Sequence, residues 1–71
     1  MGVRIMYHQL FILRREHGLT QKDMAVILRI SKAAYQNKES GKSFFTVPEG
    51  IVLAGYFDVT LDELFMGENK K

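Results

Sequence analysis

A short polar stripe in the middle of the chain holds the residues best suited to recognition chemistry. Ala33, Gln36, Asn37 and Ser40 follow the spacing i, i+3, i+4 and i+7, so a helix would place them on one face. None of the four is a large apolar residue, so this face has no core to cover. A solvent-facing helix surface of donors and acceptors is suited to insertion into the major groove of DNA.

Two short helical patterns joined by a tight turn are expected to position this stripe. They occupy residues 20–41, TQKDMAVILRISKAAYQNKESG. Ala25 is small enough for the following helix to cross closely over it, Ile30 fills the turn, and Tyr35 faces back into the core. The arrangement is a helix-turn-helix pattern, which on its own is moderately specific because many helix pairs share it.

Start and stop signals divide the whole chain into helices. Three threonines are each followed three residues later by an acid, the arrangement of a capping box: Thr20 with Asp23, Thr46 with Glu49, and Thr60 with Glu63. Ser31 predicts a further N-cap, and Pro48 suits the first turn of a helix. Helices are expected near residues 4–17, 21–28, 32–39, 47–57 and 61–66.

The predicted fold is therefore a compact all-α domain of five helices. Met6, Leu10 and Leu13 form the apolar stripe of the first helix, and Gly18 ends it. No long run of strict apolar alternation supports a strand. We expect residues 1–71 to form a single domain, with residues 67–71 as a frayed tail.

Composition and charge limit the classes of partner that the chain is expected to bind. Hydrophobic residues make up 46% of the chain, which is enough for a core, and the absence of cysteine excludes disulfides and fits a cytoplasmic location. Residues 20–43 carry a net charge of +3, whereas residues 44–71 carry −3. A polyanion would meet the basic side. No segment is apolar and long enough to predict a membrane span or a targeting signal.

Beyond these patterns, the chain resembles the phage repressor and Cro family of helix-turn-helix regulators (Xre-type). The resemblance runs without a gap from Leu10 to Phe65, about four-fifths of the chain. The matching residues are LRREHGLTQ (13–21), Met24, Ala25, Leu28, Ile30, Ser31, Glu39, Gly41, Lys42, Leu53, Ala54, Phe57, Val59 and LDELF (61–65). This combination is specific. It implies a DNA-binding transcription regulator that acts as a homodimer on an inverted repeat.

The resemblance also assigns roles along the third helix. Gln36 and Asn37 each offer a donor and an acceptor, which matches the major-groove edge of adenine. Ala33 is expected to touch a thymine methyl group, and Lys32 to reach guanine or phosphate. The residues expected to contact phosphate are Gln21, Ser31, Ser40, Lys42 and Ser43.

Arg14 and Glu39 match a family pair that joins the first helix to the end of the third, so we expect a salt bridge between them. Three positions depart from the family pattern. Arg29 replaces a common glycine in the turn, so either the turn keeps a positive φ and Arg29 is strained, or the turn is remodelled. Lys38 replaces a core-facing apolar residue, and its ammonium is expected to reach water or Glu39. Gly50 leaves a vacancy that Phe44 or Phe45 is expected to fill.

An alternative is an interaction module that keeps the fold without binding specific DNA, for example an antirepressor-like or bridging protein. It would use Phe11, Ile12 and the Phe44–Phe45 loop. The chain has no nucleophile–base set or phosphate loop, so we expect no enzyme activity, no cofactor and no small-molecule ligand. His8 and His17 lack partner carboxylates, so we expect no metal site.

Overall fold

A computed structural model describes residues 7–65 of the chain and shows five helices in that range. They are α1 (His8–Glu16), α2 (Gln21–Leu28), α3 (Lys32–Glu39), α4 (Val47–Phe57) and α5 (Leu61–Phe65). The predicted all-α fold is confirmed, and α2, α3 and α4 have the predicted bounds. α1 begins at His8 because Tyr7, its N-cap, has a non-helical ψ of 79°. The predictions for residues 4–6, including Met6, for residue 66 and for the tail at 67–71 lie outside the described residues.

The predicted caps set where the helices begin. All three capping boxes form, with each threonine hydroxyl accepting from the amide of the acid and each carboxylate accepting from the threonine amide. Ser31 caps α3 by accepting from the Ala34 amide at 3.0 Å. Pro48 lies in the first turn of α4 as predicted. Local sequence therefore determines the starts of α2 to α5.

The core lies between α3 and the helices around it. Tyr35 of α3 is fully buried, as the sequence predicted. It belongs to a buried cluster whose other members without solvent exposure are Leu10, Met24, Leu53 and Leu64. Ala25 is also buried at the crossing of α2 and α3, and Ile30 packs against the core from the turn. These contacts turn one side of α3 inward and leave the other side to solvent.

The turn between α2 and α3 contains a strained residue. Arg29 has a φ of 61°, in the left-handed region, so the turn keeps its positive φ although glycine is absent. An L-residue with a Cβ is destabilised there by roughly 1 kcal/mol relative to glycine. Gly18, which follows α1, has a φ of 68° and suits the left-handed conformation without that penalty.

The vacancy at Gly50 of α4 is filled from α5. A Cβ at Gly50 would lie 2.9 Å from Phe65 Cε2 and 3.2 Å from Leu61 Cδ2. Phe44 is 80% exposed, and Phe45 packs against the Phe65 ring at a centroid distance of 5.5 Å. The prediction that Phe44 or Phe45 fills this space is therefore wrong. A larger residue at this position would require the Phe65 ring and the Leu61 side chain to move.

Candidate DNA-binding surface

The outward side of α3 carries the side chains predicted to read bases. Lys32, Ala33, Gln36 and Asn37 are all exposed. On the opposite side of the same helix, Tyr35 and Glu39 are buried. The buried side thus fixes the helix, and the exposed side remains available to a partner. We name this exposed side the reading face and define it by Lys32, Ala33, Gln36 and Asn37.

The predicted salt bridge between Arg14 and Glu39 is confirmed. Arg14 Nε lies 2.9 Å from Glu39 Oε2, and Arg14 Nη2 lies 3.3 Å from Oε1. Both side chains are nearly inaccessible, with 9% and 3% exposed. Arg14 Nη1 also donates to the Leu19 carbonyl at 2.9 Å, which ties the bridge to the segment that enters α2. A buried pair of this kind contributes orientation more than net stability.

Two further donors on Glu39 were missed at the sequence level. The Tyr35 hydroxyl donates to Oε2 at 2.8 Å, and the Gln21 amide donates to Oε1 at 2.9 Å. Tyr35 precedes Glu39 by four residues on one helix, a spacing that could have revealed the first contact. Gln21 is 18 residues away, so only the tertiary fold shows the second. We call Arg14, Gln21, Tyr35 and Glu39 the carboxylate network.

The carboxylate network keeps the Tyr35 phenol protonated. Burial in the core raises the pKa of Tyr35 far above its ordinary value, and the nearby Glu39 carboxylate raises this pKa further. A protonated phenol can only donate to the carboxylate. Tyr35 therefore acts both as a core side chain and as a hydrogen-bond donor that helps to orient Glu39.

A basic cleft lies at the N-terminus of α2. Its cationic lining comes from Arg14, Arg15, Lys22 and Lys32, and Gln21 lies among them in the first turn of the helix. The unpaired amides and dipole of a helix N-terminus add positive potential there. The arrangement can accept an anion such as a phosphate group. Arg15 was not among the residues singled out from the sequence.

Asp23 lies in the same first turn and has a separate function. A hydrogen bond from the Thr20 amide, followed by one from the Thr20 hydroxyl, lowers the pKa of Asp23 below its ordinary value. The ionised carboxylate therefore caps α2 as the sequence predicted.

The loop after α3 carries the remaining predicted phosphate contacts. The amides of Lys42 and Ser43 both donate to the Asn37 carbonyl, at 2.8 and 3.3 Å. The Ser40 hydroxyl donates to the same carbonyl at 3.1 Å. The Lys42 side chain is exposed. The loop is thereby attached to the C-terminal end of the reading face.

The contacts of Lys38 differ from the predicted contact with Glu39. Its ammonium does not contact Glu39 but donates to Glu49 Oε1 and to the Phe44 carbonyl, both at 3.0 Å. It also lies 5.9 Å from the centroid of the Phe45 ring. The expected contact with Glu39 fails because that carboxylate is already surrounded by three other donors. The stem is still largely covered, with 14% of the side chain exposed.

The contact with Lys38 helps to lower the pKa of Glu49. Burial alone would raise the pKa of Glu49, but hydrogen bonds from the Thr46 amide and the Lys38 ammonium, with the attraction of that charge, lower it overall. The carboxylate is therefore ionised when it pairs with Lys38.

Other surface features concern the alternative hypothesis of a protein-interaction module. Phe44 and Ile12 are exposed, whereas Phe11 and Phe45 are partly buried. The Phe11 ring lies 5.3 and 5.5 Å from the guanidinium carbons of Arg14 and Arg15. Between Tyr7 and Phe65 no group of three His, Cys, Asp or Glu side chains is placed to hold a metal ion. Over the same range no helix has both the length and the hydropathy to cross a membrane.

A reading face on the second of two crossed helices defines the helix-turn-helix class of DNA-binding proteins. A family model described as helix-turn-helix matches residues 10–64. The chain therefore belongs to this helix-turn-helix family, of the Xre/Cro type, whose members are DNA-binding transcription regulators and not enzymes. The resemblance seen in the sequence motifs is confirmed.

Two individual proteins are similar to the chain. It is 38% identical over 56 residues to the HTH-type transcriptional activator BcrR of Enterococcus faecalis. The aligned region covers 79% of this chain and 28% of BcrR. Its fold matches the crystal structure of a transcriptional regulator from Listeria innocua with a TM-score of 0.81 and 27% identity, over 99% of this chain and 64% of that one. The chain thus spans about a quarter of BcrR and less than two-thirds of the Listeria protein.

Proposed function

We propose that the chain binds a particular double-stranded DNA sequence and regulates transcription by placing α3 in the major groove. The observation that carries this proposal is the exposed reading face on a helix whose opposite side is buried and hydrogen-bonded. Cationic and polar groups suited to phosphate lie at both ends of that face, in the basic cleft at one end and in the Lys42–Ser43 loop at the other. A groove-bound helix needs this combination of base contacts and flanking phosphate contacts.

Each residue of the reading face has a chemical role in this proposal. Gln36 and Asn37 pair with adenine through their amide groups. Ala33 packs against a thymine methyl group, and Lys32 reaches guanine or a phosphate. Because all four are exposed and lie on one helix face, no rearrangement of the core is needed for binding.

Phosphate contacts fix the register of the reading face on DNA. Gln21 in the basic cleft anchors one end, and one of its two amide hydrogens is used by Glu39, which leaves the other for a phosphate oxygen. Ser31 and Ser40 each lie next to an end of α3, and Lys42 and Ser43 follow it. The Ser31 hydroxyl accepts from Ala34 and retains its own proton to donate to phosphate.

The proposal includes a homodimer on an inverted repeat. Four large apolar side chains of α4 are between 46 and 72% exposed, namely Val47, Ile51, Val52 and Tyr56. Several exposed large apolar residues on one helix favour contact with another protein surface. Binding to half-sites one turn of DNA apart would require the two reading faces of the dimer to lie about 34 Å apart.

Selection from random duplex DNA tests the proposal directly. We expect wild-type protein to enrich one sequence with two inverted half-sites, and Asn37→Ala to lose about 1–3 kcal/mol of discrimination at one base position. His8→Ala, an exposed change on α1, is the matched control and should select the wild-type sequence. If wild type enriches no sequence at low or moderate salt, the proposed function is wrong. Enrichment of a single half-site would refute the homodimer but not the sequence-specific binding.

A second candidate function is protein binding without specific DNA. The 80% exposure of Phe44, beside the exposed apolar side chains of α4, is the observation that favours it. A defined complex formed in nuclease-treated extract, retained by Asn37→Ala and lost by Phe44→Ser, together with no enriched DNA, would support this candidate over the first.

A further inference from the structure

The inward-facing Lys38 makes contacts that an apolar residue at the same place could not make. Its stem is covered by the protein, and its ammonium is within 3.0 Å of both the Phe44 carbonyl and Glu49 Oε1. A charge held this close to a core is unfavourable unless it is paired and hydrogen-bonded. All of its partners lie within residues 44–49, at the end of the loop that follows α3 and the beginning of α4.

The loop after α3 is consequently attached to that helix at both ends. Its beginning is held by the Asn37 carbonyl, which accepts from the amides of Lys42 and Ser43. Its end is held by Lys38 through the Phe44 carbonyl. The Phe44 side chain is 80% exposed, so this end is held by Lys38 together with the packing of the neighbouring Phe45 ring against the core. Lys42 and Ser43 form the first attachment, and Ser43 is next in sequence to Phe44 at the second.

Glu49 makes the second attachment rigid. The same Oε1 atom that accepts from Lys38 also accepts from the Thr46 amide as part of the capping box of α4. The ammonium therefore joins the C-terminal turn of α3 to the N-terminus of α4 through a carboxylate that is itself fixed. A lysine can make both contacts at once because its ammonium carries three donors.

We infer that Lys38 is a positioning residue that holds the 40–46 loop so that Lys42 and Ser43 meet the DNA backbone beside the reading face. The inference rests on the proposed function, which assigns those two residues to phosphate contacts. Phosphate contacts formed by a pre-positioned loop lose less conformational entropy on binding.

A double-mutant cycle between Lys38→Met and Lys42→Ala tests the inference. Lys42→Ala in wild type should weaken binding to all sequences alike and reduce the salt slope by about one. Lys38→Met should weaken binding by roughly fivefold, and Lys42→Ala should then cost less than half as much as it does in wild type. Lys38→Arg, which keeps a cationic donor, should restore most of the affinity. Equal costs of Lys42→Ala in both backgrounds would overturn the inference.

A control and a second readout separate this inference from the proposed function. Lys22→Met removes an exposed cation of the basic cleft and should leave the cost of Lys42→Ala unchanged. Without DNA, Lys38→Met should speed hydrogen exchange of the amides of Lys42 and Ser43 while the amides of α1 stay protected. Unchanged loop exchange contradicts the inference even if DNA binding is lost. Absence of specific binding by wild type refutes only the proposed function.

If Lys38→Met does not fold, Glu49→Gln provides the same test. It removes the charge of the acceptor while an amide oxygen remains to cap α4. Lys42→Ala should again cost less in the Glu49→Gln background than in wild type, and an unchanged cost would count against the inference.

Discussion

Two ion pairs hold α3 from its buried side, and they are built differently. Arg14 and Glu39 lie in the carboxylate network, nearly sealed from solvent and supported by Tyr35 and Gln21. Lys38 and Glu49 lie at the edge of the core, where the charge is shared with a backbone carbonyl and a helix cap. The first pair connects α3 to α1 and to the start of α2, and the second connects it to the loop and to α4.

The difference indicates a division of tasks. A sealed pair has strict geometry and a large penalty for losing one partner, which suits fixing the helix angle. A pair near the surface is weaker and more easily replaced by apolar packing. The position of the reading face should therefore depend most on the carboxylate network, and the position of the adjacent loop most on Lys38.

Removing the charge of Glu39 should have the largest effect. Glu39→Gln leaves Arg14 buried without a counter-charge, so we expect the free energy of unfolding to fall by roughly 3 kcal/mol. Sequence-specific DNA binding should weaken because the angle of α3 is no longer fixed. Urea denaturation and DNA titration measure the two effects.

Lys38→Met is the matched comparison for that experiment. It removes the charge at the other pair but keeps an unbranched stem, so the loss of unfolding free energy should be less than about 1 kcal/mol. If Lys38→Met destabilises the protein as much as Glu39→Gln, the two pairs do not differ in the way that burial indicates.

The same comparison explains how far the sequence could predict the structure. Capping boxes, the apolar spacing and Gly18 act within a few residues, and they predicted the helices well. The Arg14–Glu39 bridge was predicted because both residues match family positions. Lys38 and Gly50 depart from the family, and their partners belong to other elements, namely the α3–α4 loop and α4 for Lys38 and α5 for Gly50. Periodicity and spacing carry no information on such contacts, so both predictions failed there.

The exposed reading face could also be predicted from the sequence, because its spacing is local to one helix. The bond between Gln21 and Glu39 could not, because it requires the crossing of α2 over α3. The DNA contacts of the individual side chains remain predictions.

Arg29 offers a test of whether the turn contributes to the position of α3. Its φ of 61° is unfavourable for a residue with a Cβ, so Arg29→Gly should raise the free energy of unfolding by roughly 1 kcal/mol. If the two ion pairs are what hold α3, discrimination among DNA sequences should not change, although loss of an exposed cation can weaken binding to all sequences. Thermal denaturation and titration with matched and mismatched duplexes provide the measurements. A change in preferred sequence would show that the turn also sets the angle of α3.

The smallest effect is expected at acid pH and concerns the edge pair alone. Because hydrogen bonds and Lys38 lower the pKa of Glu49 below its ordinary value of 4.5, this carboxylate stabilises the fold above that value. The contribution is lost as the pH falls through the lowered pKa of the folded state. Wild type should thus be slightly more stable than Glu49→Gln at neutral pH.

That advantage should shrink below about pH 4.5 and vanish at lower pH, because a protonated Glu49 carries no more charge than glutamine. All other carboxylates, including Asp23, are common to the two proteins, so their titration cancels in the difference. Urea denaturation of both proteins from neutral to acid pH gives the difference directly. A difference that stays constant into strongly acid solution would mean that the Lys38–Glu49 pair adds no electrostatic stability, and that Lys38 holds the loop through the Phe44 carbonyl alone.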